Sequence, residues 1–273
     1  MTRPDSYVFD PAWQREHDRL RALEDLFDPS SRRRLAAVGV AEGWRCLEVG
    51  AGAGGVAAWL AARVGPSGNV VATDVDPRFV AQGVRDNLEV RRHDVASDPL
   101  EEASFDLVHA RAVLEHLPDR EQVLARLVRA LRPGGWVVVE DVDFGGAMAT
   151  AAARYVSPSE QAPVFERFFR AVEAVFRTVR ADASFGARLL ETLERASLSR
   201  LGADVYAPMV VGGGERDWVR MTVEQLRGPL VATGLVTEAD VKHALRVMAE
   251  SSCHFLPPLM VGAWGQRTTR GEP

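Results

Sequence analysis

The chain has 273 residues, 47% of them hydrophobic and 26% charged, with a formal net charge of −5 at pH 7. That is an ordinary globular balance, enough for one large α/β domain or one domain with a helical elaboration. The negative balance counts against nucleic acid as a partner, because phosphate binding needs a basic surface. Cys46 and Cys253 give neither a disulfide framework nor a metal-ligand spacing, so no metal is expected. The start, Met1-Thr2-Arg3-Pro4-Asp5, has no apolar leader, and no apolar run approaches a membrane span. A soluble cytoplasmic protein is the expectation, with a homodimer left open.

Asp10-Pro11 reads as a helix opening, an N-cap followed by proline at the first helical position. Trp13, His17, Leu20, Leu23 and Phe27 then recur at helical spacing, and Asp28-Pro29 repeats the device to open a second helix through Leu35 and Val38. Arg32-Arg33-Arg34 reads as a solvated helix face. These elements precede the first strand, so residues 1–40 are expected to form a helical lid, with Tyr7, Trp13 and His17 as candidate lid residues or as plain packing.

Arg45 to Val49 is a short apolar run, and Gly50, Gly52, Gly54 and Gly55 follow at once. Val56, Leu60 and Val64 then share one helical face. Strand, glycine turn and helix let a backbone approach a ligand at the carboxyl end of a parallel sheet. The spacing fits both G-x-G-x-x-G and acid-x-G-x-G-x-G, with Glu48 as the acid. The turn alone therefore leaves a nicotinamide dehydrogenase open.

After the turn at Gly65-Pro66-Ser67-Gly68, Asn69 to Asp76 is a β-rich run. Within it Asp74 lies about 20 residues beyond Gly54, placed for both hydroxyls of a ribose. Leu88 to Asp94 reads as the third strand, and Phe105 to Arg111 as the fourth. An amphipathic helix covers Asp119 to Leu131, with Asp119 and Gln122 resembling a capping box. Val137 to Asp143 is the fifth strand.

From Leu47 to Asp143 the chain resembles the class I S-adenosylmethionine (SAM)-dependent methyltransferases. The resemblance rests on the E-x-G-x-G-x-G turn, VVATDVDP, RRHDV, FDLVHARAVLEHLPD and LRPGGWVVVED, the last having no counterpart in the usual dehydrogenase pattern. It implies a Rossmann-like, doubly wound α/β sheet of seven strands with the last antiparallel, and SAM as cofactor. Glu48 would order the turn, while Gly50, Ala51 and Gly52 would meet the methionine end of SAM. Asp74 would hold the ribose and Val75 would touch the adenine. Asp94 and the Val95 amide would recognise the adenine, and Arg111 would sit near the methionine or the substrate mouth.

The family plan ends in a helix and two strands, which Phe185 to Leu198, Asp204 to Val211 and Phe255 to Trp264 fit. Residues 41–145 would be the core, 146–184 a helical insertion, and 185–273 the end of the core, interrupted by a second insertion over about 212–252. In the first insertion, Ser157-Pro158-Ser159 opens a helix rich in phenylalanine. In the second, Thr222 with Gln225 and Thr237 with Asp240 resemble capping boxes, and Gly228-Pro229 breaks the first of the two helices. Both insertions leave near the carboxyl ends of strands, so they read as an apolar lid over a small substrate.

The implied activity is methyl transfer to a small, aromatic or apolar molecule of secondary metabolism, on oxygen, nitrogen or carbon. His116, just after the fourth strand, is the first candidate for a general base. Asp141 and Asp143 are second candidates for orienting or deprotonating the acceptor, and His254 a third. A homologue that binds SAM without catalysis remains an alternative.

Overall fold

The computed structural model describes residues 8–10, 12–80, 85–196, 198–214 and 217–269. In chain order these give α1 (Glu16–Ala37), β1 (Arg45–Val49), α2 (Gly55–Val64), β2 (Asn69–Asp74), β3 (Leu88–Arg92), β4 (Phe105–Arg111), α3 (Arg120–Ala130) and β5 (Leu131–Asp143). Then follow α4 (Ala147–Ala153), α5 (Ala162–Thr178), α6 (Leu189–Glu194), β6 (Leu198–Tyr206), β7 (Val210–Val211), α7 (Trp218–Gln225), α8 (Arg227–Ala232), α9 (Glu238–Met248), β8 (His254–Phe255) and β9 (Leu259–Arg267).

Seven strands form one sheet in the order β3-β2-β1-β4-β5-β9-β6, and β7 pairs with β8 in a separate two-stranded sheet. β1 through β5 are parallel, while β9 runs antiparallel to both β5 and β6. The expected seven-stranded sheet with its last strand antiparallel is the one found.

The central strands read as apolar runs because helices cover both faces, as parallel sheets require. Cys46, Val70, Leu107 and Val138 pack toward α1 and α2. Their alternates Leu47, Val71, Val108 and Val137 pack toward α3 and α6. The chain leaves β1 for β2 on one side and returns to β4 on the other. That reversal opens a crevice at the carboxyl ends of β1 and β4, where such sheets take ligands.

Several expected boundaries move. α1 is one helix with Pro29 inside it, rather than two. Asp28 caps nothing, because its carboxylate accepts from Arg111 and Arg32. At the other end, Asp10 accepts from Ala12 N in a local turn, six residues before the helix begins. Asp119 occupies the N-cap of α3 without a side-chain cap bond. The cap of α7 is Asp217, which accepts from Arg220 N, so Thr222 lies mid-helix. The Thr237–Asp240 capping box of α9 is present.

The last strands shift for a common reason. Pro208 has no N–H to give a ladder, so β6 ends at Tyr206 and begins as early as Leu198. Pro257-Pro258 likewise separate the short β8 from β9. The helix expected over Phe185 to Leu198 is correspondingly short, with α6 closing at Glu194.

The two insertions, α4–α5 and α7–α9, share one apolar core. Phe165, Phe168 and Phe176 of α5 meet Val219, Val223, Val241 and Met248, together with Phe9, Phe27 and Val142. They cover the same sheet edge that the glycine turn occupies. Among the described residues no helix is long and apolar enough to cross a membrane.

Candidate active site

β1 ends at Val49 and the chain turns through Gly50, Gly52 and Gly54, all with positive φ. A Cβ on Gly50 would run into the Val113 side chain, so only glycine fits. Ala51 N donates to Thr73 O (3.0 Å), and Gly52 N donates to Asp74 Oδ2 (3.0 Å), which draws the turn onto the end of β2. Asp74 Oδ1 accepts from Asp76 N (2.9 Å). Burial raises the pKa of Asp74, and these N–H bonds oppose that rise.

One continuous cavity of about 260 Å³ runs from this turn into the inserted helices. Glu48, Gly50, Ala51, Gly52, Asp74, Val75, Asp94, Val95 and Arg111 line one end, so all nine residues expected at the cofactor are brought together there. Asp94 Oδ1 accepts from Ala96 N (2.9 Å), which fixes the loop after β3. Phe9, Phe144, Phe165, Phe168, Phe176 and Trp218 line the other end.

His116 lies between the two ends. Its ring is buried against Phe9 and Phe176, with centroids 6.0 and 5.4 Å away, and Nε2 is 3.3 Å from Glu115 Oε1. Burial, with the positive charges of Arg19 and Arg120, pushes its pKa down to about 3. The ring is therefore neutral at pH 7.

Asp141 and Asp143 are placed differently from expectation. Side chains alternate along β5, so Val142 and Phe144 face the cavity while neither aspartate lines it. Asp141 Oδ1 instead accepts from Val113 N (3.1 Å) and Glu115 N (3.3 Å), while Glu115 Oε2 accepts from Val142 N (2.7 Å). The two carboxyls thus lock the 113–116 turn to β5. Burial pushes Asp141 up to about 8, and burial plus the Asp141 charge pushes Glu115 up as well. His254 lies in the β7–β8 pair, and His17 stacks on Phe79 with centroids 5.0 Å apart. Neither is among the lining residues, nor is Trp13, and Tyr7 lies outside the described residues.

Beneath the turn, α1 is tied to the sheet by buried charges. His109 Nδ1 is 2.7 Å from Glu48 Oε2, and Nε2 is 3.2 Å from Glu140 Oε1. Arg34 Nη1 donates to Glu140 Oε2 (2.6 Å), and Arg111 donates to Ser31 Oγ (2.9 Å) and Asp28 Oδ1 (2.8 Å). Arg34, expected on a solvated face, is among the most buried residues of α1. Glu24 Oε1 accepts from Gly55 N (2.7 Å) at the start of α2. Sequence reading missed Glu24, Arg19 and Glu115 as lining residues, and only the helical spacing of 16, 19, 20, 23 and 24 marks that face of α1.

The residues present fit SAM: a glycine cradle that a Cβ would fill, a carboxylate at the end of β2, and an acid and an amide after β3. Among the described residues no group of three His, Cys, Asp or Glu is placed to hold a metal ion.

The comparisons agree with that reading. Residues 47–139 match the family model described as a methyltransferase domain. Methyltransferases str2 and str3 of Strobilurus tenacellus are each 31% identical, over 66% and 69% of this chain and 62% and 63% of their own lengths. The chain thus spans under two thirds of the length of these relatives. A solved phosphoethanolamine N-methyltransferase 2 of Haemonchus contortus in complex with SAM superposes with a TM-score of 0.55 at 16% identity, covering 98% of this chain and 61% of that one. At that identity the likeness shows the fold. Residues 47–139 are thus a methyltransferase domain of the class I SAM-dependent kind, with SAM as its cofactor.

Proposed function

We propose that the protein transfers the SAM methyl to a small aromatic or apolar molecule held among the phenylalanines of α5. One observation carries this reading: the glycine cradle and the aromatic chamber are the two ends of a single cavity. When bound, SAM supplies a methyl already activated on a sulfonium. The protein's work is then alignment and exclusion of water, which can supply roughly 7–11 kcal/mol. Gly50, Ala51 and Gly52 would hold the methionine end, with Arg111 near it. Asp74 would take the ribose hydroxyls. Val75, Asp94 and Val95 would hold the adenine.

His116 would receive the proton that the acceptor loses. Its basicity is low, so it suits an acceptor that becomes strongly acidic on methylation. A hydroxyl oxygen or an aromatic carbon does so, whereas a methylated amine keeps its proton at neutral pH. Asp141 and Asp143 would act indirectly: Asp141 positions the turn that carries His116, and Asp143 sits at the end of the same strand. A chamber closed by three sets of helices suits a metabolite better than a macromolecule.

Calorimetric titration with SAM and with its demethylated product tests the cofactor end. Asp74→Ala should weaken both about 10- to 100-fold, from roughly 1.5–3 kcal/mol for hydrogen bonds to a charged group. Equal affinity in the variant would remove Asp74 from the ribose. Label transfer from methyl-labelled SAM to a panel of hydroxylated aromatic metabolites tests the chemistry. Tight SAM binding with no transfer to any acceptor would mark a non-catalytic homologue.

A further inference from the structure

The chamber wall contributed by α7 carries two polar atoms that nothing satisfies. Trp218, Val219, Thr222 and Val223 line the cavity, the face that i, i+1, i+4 and i+5 spacing produces on one helix. Trp218 Nε1 and Thr222 Oγ1 are both buried, and neither has a hydrogen-bond partner among the described residues. Trp218 is held edge-on to Phe27, with centroids 5.5 Å apart at 80°. Buried polar groups are ordinarily paired, so a donor one helical turn from a hydroxyl, both in a cavity wall, calls for a partner from a ligand.

The arginines that line the cavity are already paired, Arg111 with Asp28 and Arg19 with Glu16. Arg19 Nε and Nη2 donate to Glu16 at 2.8 and 2.6 Å, and Gln225 Nε2 donates to Glu16 Oε2 (3.2 Å) and Asp10 O (3.0 Å). The indole N–H can only donate, whereas the hydroxyl can donate or accept. The complementary ligand group is therefore an acceptor, and a neutral one, because among the described residues no unpaired arginine lines the cavity.

We infer that Trp218 and Thr222 form an oxygen-reading subsite, selecting aromatic substrates that carry a neutral carbonyl or ether oxygen. This rests on the proposed aromatic acceptor and adds the feature by which it is told from a plain hydrocarbon. Leaving a buried donor unpaired penalises the analogue lacking the oxygen, so discrimination is strong where apolar fit alone gives little.

Three fragments of similar shape, acetophenone, ethylbenzene and benzoate, serve as probes, each titrated with and without SAM. Ethylbenzene is the most apolar, so an apolar chamber alone would favour it. The wild-type protein should bind acetophenone at least as tightly as ethylbenzene, and benzoate more weakly than acetophenone. Trp218→Phe and Thr222→Val together should shift the preference toward ethylbenzene about tenfold. In nitrogen–proton spectra of the tryptophan-labelled protein, the indole signal lost in Trp218→Phe should move with acetophenone and not with ethylbenzene. Thr222→Val alone, with SAM affinity as the control for folding, covers the case in which the tryptophan variant fails to fold. An unchanged preference in the variants, an unmoved indole signal, preferred binding of benzoate, or no fragment binding at all would overturn the subsite. Failure of the wild type to bind SAM would instead strike the proposed function, and the SAM-free titrations would still read the subsite.

Discussion

His109 and His116 are both buried imidazoles, yet their surroundings send them in opposite directions. His116 is desolvated and faces Arg19 and Arg120, so its pKa falls to about 3. His109 is equally desolvated, but the attraction and hydrogen bonds of Glu48 and Glu140 outweigh burial and raise it to about 9. His109 therefore adds stability that is complete below about pH 6.5 and is lost as pH rises through about 9. For His116 the unfolded chain takes a proton near pH 6.5, while the folded chain refuses it until about 3. Stability should fall as pH drops across that window, by up to about 1.4 kcal/mol per pH unit from this group. Urea unfolding of His116→Gln between pH 6.5 and 5 should show a flatter acid dependence than the wild type. In the wild type, kcat should show no inflection near 6.5 from this residue. An inflection there that vanishes in His116→Gln would mean that the ring is hydrated, and that it acts as an ordinary histidine base.

At the scale of the element, α1 departs most from what its sequence suggests. Phe27, Ser30, Ser31, Arg34 and Leu35 form its buried face, and a triplet of arginines at 32–34 gives no sign that the third turns inward. The signal lies on another strand: Glu140 in β5 is the charge that Arg34 answers, and pairing across 106 residues is invisible to local spacing. Removing Arg34 would leave the buried Glu140 without one of its two directly bonded cations, His109 being the other. Arg34→Met should cost about 3–5 kcal/mol, read as a lowered urea midpoint, while Arg33→Met, on the exposed side, should change it little. A small effect at Arg34 would mean that water reaches Glu140.

By contrast β1 through β5 were legible, because each strand, turn and helix there is coded by adjacent residues. So was the grouping of the glycines and carboxylates that close those strands along one end of the cavity. The substrate end was not, because its wall is assembled from α1, α5 and α7, which lie far apart in sequence. The late strands slipped where Pro208 and Pro257-Pro258 cut runs that hydrophobicity alone would join.

Considered as a whole molecule, the sheet and the inserted helices are held together on both sides of one cavity. The apolar core joins α5, α7 and α9 to Val142 of β5, and the charged network joins α1 to β1, β4 and β5. A ligand in that cavity touches every layer, so it should raise the stability of the whole rather than stiffen one loop. SAM at about 100 times its dissociation constant would add roughly 2.7 kcal/mol, and a chain of this size gains roughly 2–4 °C for each kcal/mol. Thermal unfolding followed by calorimetry should therefore shift upward by about 5–10 °C as one cooperative transition. If the helical insertions instead melted early and unshifted while the sheet alone gained, the cavity would not couple them. The chamber would then be a separate lid rather than the far wall of the cofactor site.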